Sequence, residues 1–193
     1  MNCFLDRFLI QLTIMEKIIL GNDLEICRIL NGMWQVAGGH GQINSELAIQ
    51  DMQKYQENGF TTWDLADIYG PAESLIGDFS RKTEQSFQAF TKFVPNPGPM
   101  SSNIVTQYID ESLKKMNIKC IDLLQFHWWD YQDSNYLDVL QHLSNLQKEG
   151  KIKYLGLTNF DTKRIKIIIE NGFKIITNQV QYSILDQRPE KIM

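Results

Sequence analysis

The chain has 193 residues, 43% of them hydrophobic, enough to bury the core of one globular domain. Its formal net charge is −4 and it has no Lys/Arg stripe, which argues against a nucleic-acid or anionic-membrane partner and for a small-molecule one. Cys3, Cys27 and Cys120 are too far apart for a Cys-x-x-Cys motif, and an odd count makes a poor disulfide framework, so a reduced, cytoplasmic protein is expected.

Residues 1–14 are apolar, but they carry Asp6, have one basic residue ahead of the apolar run, and lack a small-residue cleavage site. That disfavours a signal peptide, and the segment is too short and polar to span a bilayer. EKIILGNDLEI, which follows Met15, reads like the start of a domain, so 1–14 is expected to be an extension outside a fold covering 15–193. EKIIL and LEICRIL around Gly21-Asn22-Asp23 predict a β-hairpin. Then come a strand over Ile29–Trp34, a Ser-capped helix over Ser45–Glu57, a strand over Thr61–Leu65 and a short helix over Ala72–Phe79. Phe87–Phe93 is a strand that runs into the helix-breaking VPNPGP. Ser101–Lys115 has a one-sided apolar stripe and predicts a helix, and Ile121–Phe126 is an apolar run typical of a strand buried on both faces. Tyr136–Lys148 and Asp161–Glu170 complete the helices, and Lys151–Leu157 and Lys174–Val180 the strands.

Strict alternation of strand and helix implies a parallel sheet with crossover helices. No G-x-G-x-x-G follows any strand, so the fingerprint of an open dinucleotide-binding sheet is missing. Polar residues stand instead at the ends of at least five strands, as in a parallel barrel whose catalytic face is formed by the carboxyl ends of its strands. The expected class is therefore α/β of the (β/α)8 TIM-barrel type, truncated to about six strands and preceded by a β-hairpin.

Four residues close short apolar runs: Asp64 and Tyr69 in WDLADIYG, Lys92 in FTKF and His127 in LLQFHWW. Taken singly, each has an ordinary structural reading, such as a rim tyrosine, a snorkelling lysine or a core histidine. Brought to one pocket, an acid, a phenol, an amine and an imidazole make a proton-transfer apparatus. An ammonium beside Tyr69 favours its phenolate and so makes the phenol a usable general acid. Asp64 holds Lys92 charged, and His127 donates a hydrogen bond that orients a carbonyl. Thr158-Asn159 and Asn178-Gln179 offer hydroxyl and amide groups that match a carboxamide, though helix capping accounts equally well for Thr158, Asn159 or Asp161. Trp128, Trp129 and Tyr131 are candidates for an apolar substrate wall. His40 reads as a loop residue, and three histidines without ligand spacing predict no metal site.

These residues resemble the aldo-keto reductase superfamily. WDLADIYGPAESLIG looks like its Asp-Thr-Ala-x-x-Tyr-Gly-x-x-Glu-x-x-x-Gly signature with Leu65 at the hydroxyl position, FTKF is similar to its lysine strand, and IDLLQFHWW to its histidine strand. GKIKYLGLTNF and NQVQYSILDQR look like later segments of the same family, the second as found in the branch with potassium-channel beta subunits. The resemblance implies Tyr69 as general acid, Lys92 and Asp64 as its tuning pair, and His127 as the substrate-orienting residue. It further implies Thr158, Asn159 and Gln179 as the nicotinamide carboxamide site, Trp34 and Trp128 as substrate contacts, and NADPH as hydride donor to an aldehyde or ketone. A barrel of this kind takes about 250 residues. The resemblance thus implies two further strand-helix units with phosphate-gripping loops, so that the chain is either a fragment of a longer reading frame or a truncated relative, and open edges invite self-association. Two other readings stand beside the reductase. One is a cofactor-sensing or partner-binding relative; the other is a Schiff-base lyase using Lys92, which the neighbouring Asp64 disfavours by raising the lysine's pKa.

Overall fold

A computed structural model describes residues 15–39, 41 and 43–192. Residues 1–14 and His40, on which two of the expectations above fall, lie outside it. An antiparallel hairpin, β1 (Lys17–Leu20) and β2 (Leu24–Cys27), precedes a six-stranded parallel sheet. The sheet runs in chain order: β3 (Asn31–Gly32), β4 (Thr62–Asp64), β5 (Gln88–Phe93), β6 (Ile121–His127), β7 (Ile152–Thr158) and β8 (Ile175–Gln179). Between these strands lie α1 (Ser45–Glu57), α2 (Ala72–Ser80), α3 (Ser102–Met116), α4 (Tyr136–Lys148) and α5 (Thr162–Glu170). A short helix, α6 (Arg188–Ile192), follows β8 and was not foreseen. Among the described residues β3 and β8 are the unpaired edges, so the sheet is an open arc of six strands.

Side-chain alternation along the strands builds two faces. Outward-facing Trp63, Phe93, Leu124, Phe126 and Leu155 join Phe79, Val105, Ile109 and Val139 of the helices in the main core. On the inner face, Phe90, Leu123 and Tyr154 stand in register and meet Leu24 and Ile26 of the hairpin, which covers the amino-terminal mouth. The Tyr154 hydroxyl fastens it by donating to Asp23 Oδ1 at 2.8 Å and accepting from the Asn22 amide at 3.1 Å. One layer up, Lys92, Gln125 and Gly156 are in register, and above them His127 pairs with Thr158 and Thr158 with Gln179. A hydrophobic lower layer thus carries a polar upper layer at the carboxyl ends of the strands.

Two local readings need correction. The strand expected over Ile29–Trp34 shrinks to Asn31–Gly32, because the chain turns after the bond from the Met33 amide to Asp64 O and Trp34 opens a 3-10 turn, Trp34–Ala37. Helix α1 is capped by Asn44 rather than Ser45: Asn44 Oδ1 accepts from the amides of Glu46 and Leu47 at 3.0 and 3.2 Å. The expected cap at Asp161 is present, its Oδ1 accepting from the Arg164 amide at 2.8 Å.

Candidate active site

At the carboxyl ends of the strands lies a cavity of about 410 Å³, walled by Trp34, Tyr69, Lys92, His127, Trp129 and Thr158 together with Asn159, Gln179, Gln181 and three apolar side chains. Asp64 sits beneath it. The fold therefore brings together Asp64, Tyr69, Lys92, His127, Thr158, Asn159, Gln179 and Trp34. It does not bring Trp128. The alternation that turns His127 inward turns Trp128 outward, where its ring is fully buried against Phe126 and its indole nitrogen donates to the Asp133 carbonyl at 3.1 Å. Trp129 takes the cavity position, its ring edge-on to His127 with centroids 4.4 Å apart. Tyr131 does not line the cavity either; its hydroxyl donates to the Asn159 carbonyl at 2.8 Å and its ring lies against the Arg164 guanidinium. Asn159 itself has φ +62°, a left-handed conformation that asparagine tolerates better than most residues.

Lys92 is 4% exposed, and its ammonium donates to Asp64 Oδ1 and Oδ2 at 2.8 and 2.9 Å and to the Leu65 carbonyl at 3.0 Å. Those three bonds use all its protons. Asp64 also accepts from Gln125 Nε2 at 2.9 Å and from Gln179 Nε2 at 3.1 Å. Gln125 was not singled out from the sequence. The signal was there, since it is a polar residue inside an apolar strand, two positions from His127 and on the same face.

The tyrosine differs from expectation. Lys92 Nζ lies 5.1 Å from the centroid of the Tyr69 ring, yet burial and the nearby Asp64 charge hold the phenol above its ordinary value. The ammonium is bound to a carboxylate, so its field at the phenol is largely cancelled and desolvation decides. Tyr69 is a firmly protonated phenol at neutral pH. Burial pulls Lys92 below the usual lysine value, against the opposing effects of Asp64 and Asp67.

His127 Nδ1 lies 3.2 Å from the Thr158 carbonyl, an oxygen that can only accept, so Nδ1 carries the proton. In the neutral ring Nε2 is then an acceptor, and it is buried without a hydrogen-bond partner among the described residues. Burial and the Lys92 charge lower the imidazole's pKa, opposed by the Thr158 bond, and so favour that neutral form. The donor role expected of His127 is open only to the doubly protonated ring. Thr158 Oγ1 is likewise buried and unpartnered among the described residues, beside Asn159 and Gln179 on the wall. Asn178 is used structurally, donating to the Phe160 carbonyl at 2.9 Å. Among the described residues no group of three or more His, Cys, Asp or Glu side chains is disposed to hold a metal, and no helix is long and apolar enough to cross a membrane.

Comparison with known proteins finds relatives of this chain and of its fold. The chain is 30% identical over 193 residues to the 6-dehydroglucose reductase of Agrobacterium fabrum, covering 89% of this chain and 63% of that protein. To the NADH-specific methylglyoxal reductase of Escherichia coli it is 26% identical over 204 residues, covering 91% and 61%. Its fold is similar to that of the thermostable aldo-keto reductase Tm1743, solved with the inhibitor epalrestat, with a TM-score of 0.81, 24% identity and coverage of 92% and 66%. In each case the chain spans less than two thirds of its relative. The model of the Aldo/keto reductase family matches residues 28–193, and the chain belongs to that family.

Proposed function

We propose that the chain carries the proton-transfer site of a reductase of aldehydes or ketones. The observation that carries the reading is the meeting of Tyr69, Lys92 and His127, with Asp64 beneath, from three successive strand-helix units at one cavity. Tyr69, protonated at neutral pH, gives its proton to the carbonyl oxygen, with Lys92 held beside its ring by Asp64. Positioned proton transfer of this sort contributes roughly a hundred- to ten-thousand-fold in rate. Thr158, Asn159 and Gln179 would hold the carboxamide of a nicotinamide. The unpartnered Thr158 hydroxyl fits that group, and Gln179, which donates its nitrogen to Asp64, presents its oxygen as an acceptor. When bound, the reduced nicotinamide supplies the hydride.

Among the described residues Lys92 is the only charged side chain on the cavity wall, and its protons are taken. With Trp34 and Trp129 flanking the mouth, this favours a neutral carbonyl compound over an anionic one. The saturated ammonium also has no lone pair for imine formation, which weighs against the Schiff-base alternative. We take NADPH as the cofactor; a relative named as NADH-specific makes titration with both forms the deciding measurement.

Tyr69→Phe tests the mechanism. It should abolish carbonyl-dependent oxidation of the reduced cofactor while leaving the cofactor fluorescence titration unchanged. If the variant keeps most of its turnover, Tyr69 is not the proton donor.

A further inference from the structure

One carboxylate near the site takes no part in the chemistry above. The parallel ladder of β4 continues past the strand as the Leu65 amide donates to Phe90 O at 2.8 Å and the Asp67 amide to Lys92 O at 3.0 Å. Asp67 then reaches across with its side chain, and Oδ2 accepts from the Val94 amide at 3.1 Å. One residue thus binds the backbone of β5 on both sides of Phe93, two residues before Tyr69 and beside Lys92. Its other oxygen, Oδ1, is buried with no hydrogen-bond partner among the described residues.

We propose that Asp67 is a positioning residue of the proton-transfer site, whose side-chain oxygen fastens the loop carrying Tyr69 to the strand end carrying Lys92. The inference rests on the reductase reading for its kinetic arm and on hydrogen bonding alone for its structural arm.

The surroundings separate this role from simple fold stabilisation. Facing Asp67 are Glu73 on α2, itself 2% exposed and accepting from the Thr91 hydroxyl at 2.8 Å, Lys115 on α3, 3.8 Å from Glu73 Oε2, and Lys92 on β5. Burial foremost, with the Glu73 charge adding to it, pushes the Asp67 carboxyl up to about 6. A carboxyl raised in the folded state favours folding most when protonated, and that benefit is lost as pH rises through about 6. At neutral pH its charge therefore opposes the fold, while its acceptor holds the loop.

The test separates acceptor from charge. Asp67→Ala removes both, and Asp67→Asn keeps the acceptor. With Asp67→Ala, kcat for a neutral aldehyde should fall about tenfold or more, since misplacement by about an ångström can cost as much as about a hundredfold, and cofactor affinity should stay unchanged. Asp67→Asn should restore most of the rate. Amide hydrogen exchange at Val94 should be faster by about tenfold in Asp67→Ala, corresponding to a bond worth about 1.4 kcal/mol, and remain protected in Asp67→Asn. Wild-type kcat or unaltered Val94 exchange in Asp67→Ala would overturn the proposal, as would an Asp67→Asn variant as impaired as Asp67→Ala. Tyr69→Phe run alongside keeps the two readings apart. An active Tyr69→Phe removes the mechanism, whereas the exchange measurement judges the Asp67 bond without any turnover.

Discussion

Lys92 shows how neighbours decide what a residue type does. Its ammonium is saturated by Asp64 and the Leu65 carbonyl, so it organises the site rather than binding an anion or a carbon centre. Removing one partner of a buried ion pair leaves the other uncompensated, at about 3–5 kcal/mol. Lys92→Met should therefore lose turnover and also lower the thermal midpoint, the latter read by circular dichroism; a variant as stable as the parent would mean that the pair is solvated. His127 makes a second residue-scale prediction. Its pKa lies below the ordinary imidazole value, and its Nε2 donates only when the ring is doubly protonated. The KM for the carbonyl should accordingly fall as pH is lowered from 7 toward and through that depressed pKa, whereas an alcohol, which donates, should bind better above it. A carbonyl KM that does not fall as pH is lowered below 7, down to the limit of the folded state, would contradict this assignment. Both residues were legible in the sequence as strand-end polar groups. Their protonation was not, because it is set by Thr158 and Asp64, which lie far away in sequence and close in space.

At the scale of elements, period-two alternation explains both what was read correctly and what was missed. It puts Lys92, Gln125 and His127 on the inner face, Thr91 on the outer face against Glu73, and Trp128 in the core. Continuing the count two residues past His127 would have preferred Trp129 to Trp128 for the cavity. The second Gly of the signature has an element-scale cause as well: a Cβ on Gly77 would lie 2.0 Å from the Lys115 carbonyl, so α2 approaches the end of α3 as only glycine permits. In an open helix, Gly→Ala stabilises by up to about 1 kcal/mol. Here backbone must move, and Gly77→Ala should instead destabilise by about 1–3 kcal/mol, measured as a lowered urea midpoint. An unchanged or raised midpoint would mean that the two helices do not pack this closely in solution.

At the scale of the described residues as a whole, the sheet is an open six-stranded arc. A cavity of about 720 Å³ lies along β3 and α1, lined by Leu30, Met33, Leu47, Met52, Tyr55 and Trp63. At the other edge, past β8, Ile184 and Leu185 are 92% and 97% exposed. Unpaired strand edges with apolar surface beside them favour association. The 193-residue polypeptide is expected to self-associate and to bind NADPH more weakly than a relative with a closed barrel. Light scattering and cofactor fluorescence titration measure both, and a monodisperse monomer with micromolar affinity would refute the pair of expectations.

What the sequence determined by itself was whatever depends on local periodicity and on residue type at strand ends: the hairpin, the alternating strands and helices, the barrel class, and the set Asp64, Tyr69, Lys92 and His127. Only tertiary structure decided what depends on distance between segments far apart in the chain. It pushed the Tyr69 phenol above its ordinary value through burial and the Asp64 charge, fixed the His127 proton on Nδ1 through the Thr158 carbonyl, gave Asp64 the donors Gln125 and Gln179, and tied the Asp67 side chain to the Val94 amide. The physical reason is that periodicity is written in neighbouring residues. Hydrogen-bond saturation and desolvation belong to the assembled layers, where a side chain's partners come from strands about thirty to more than a hundred residues away.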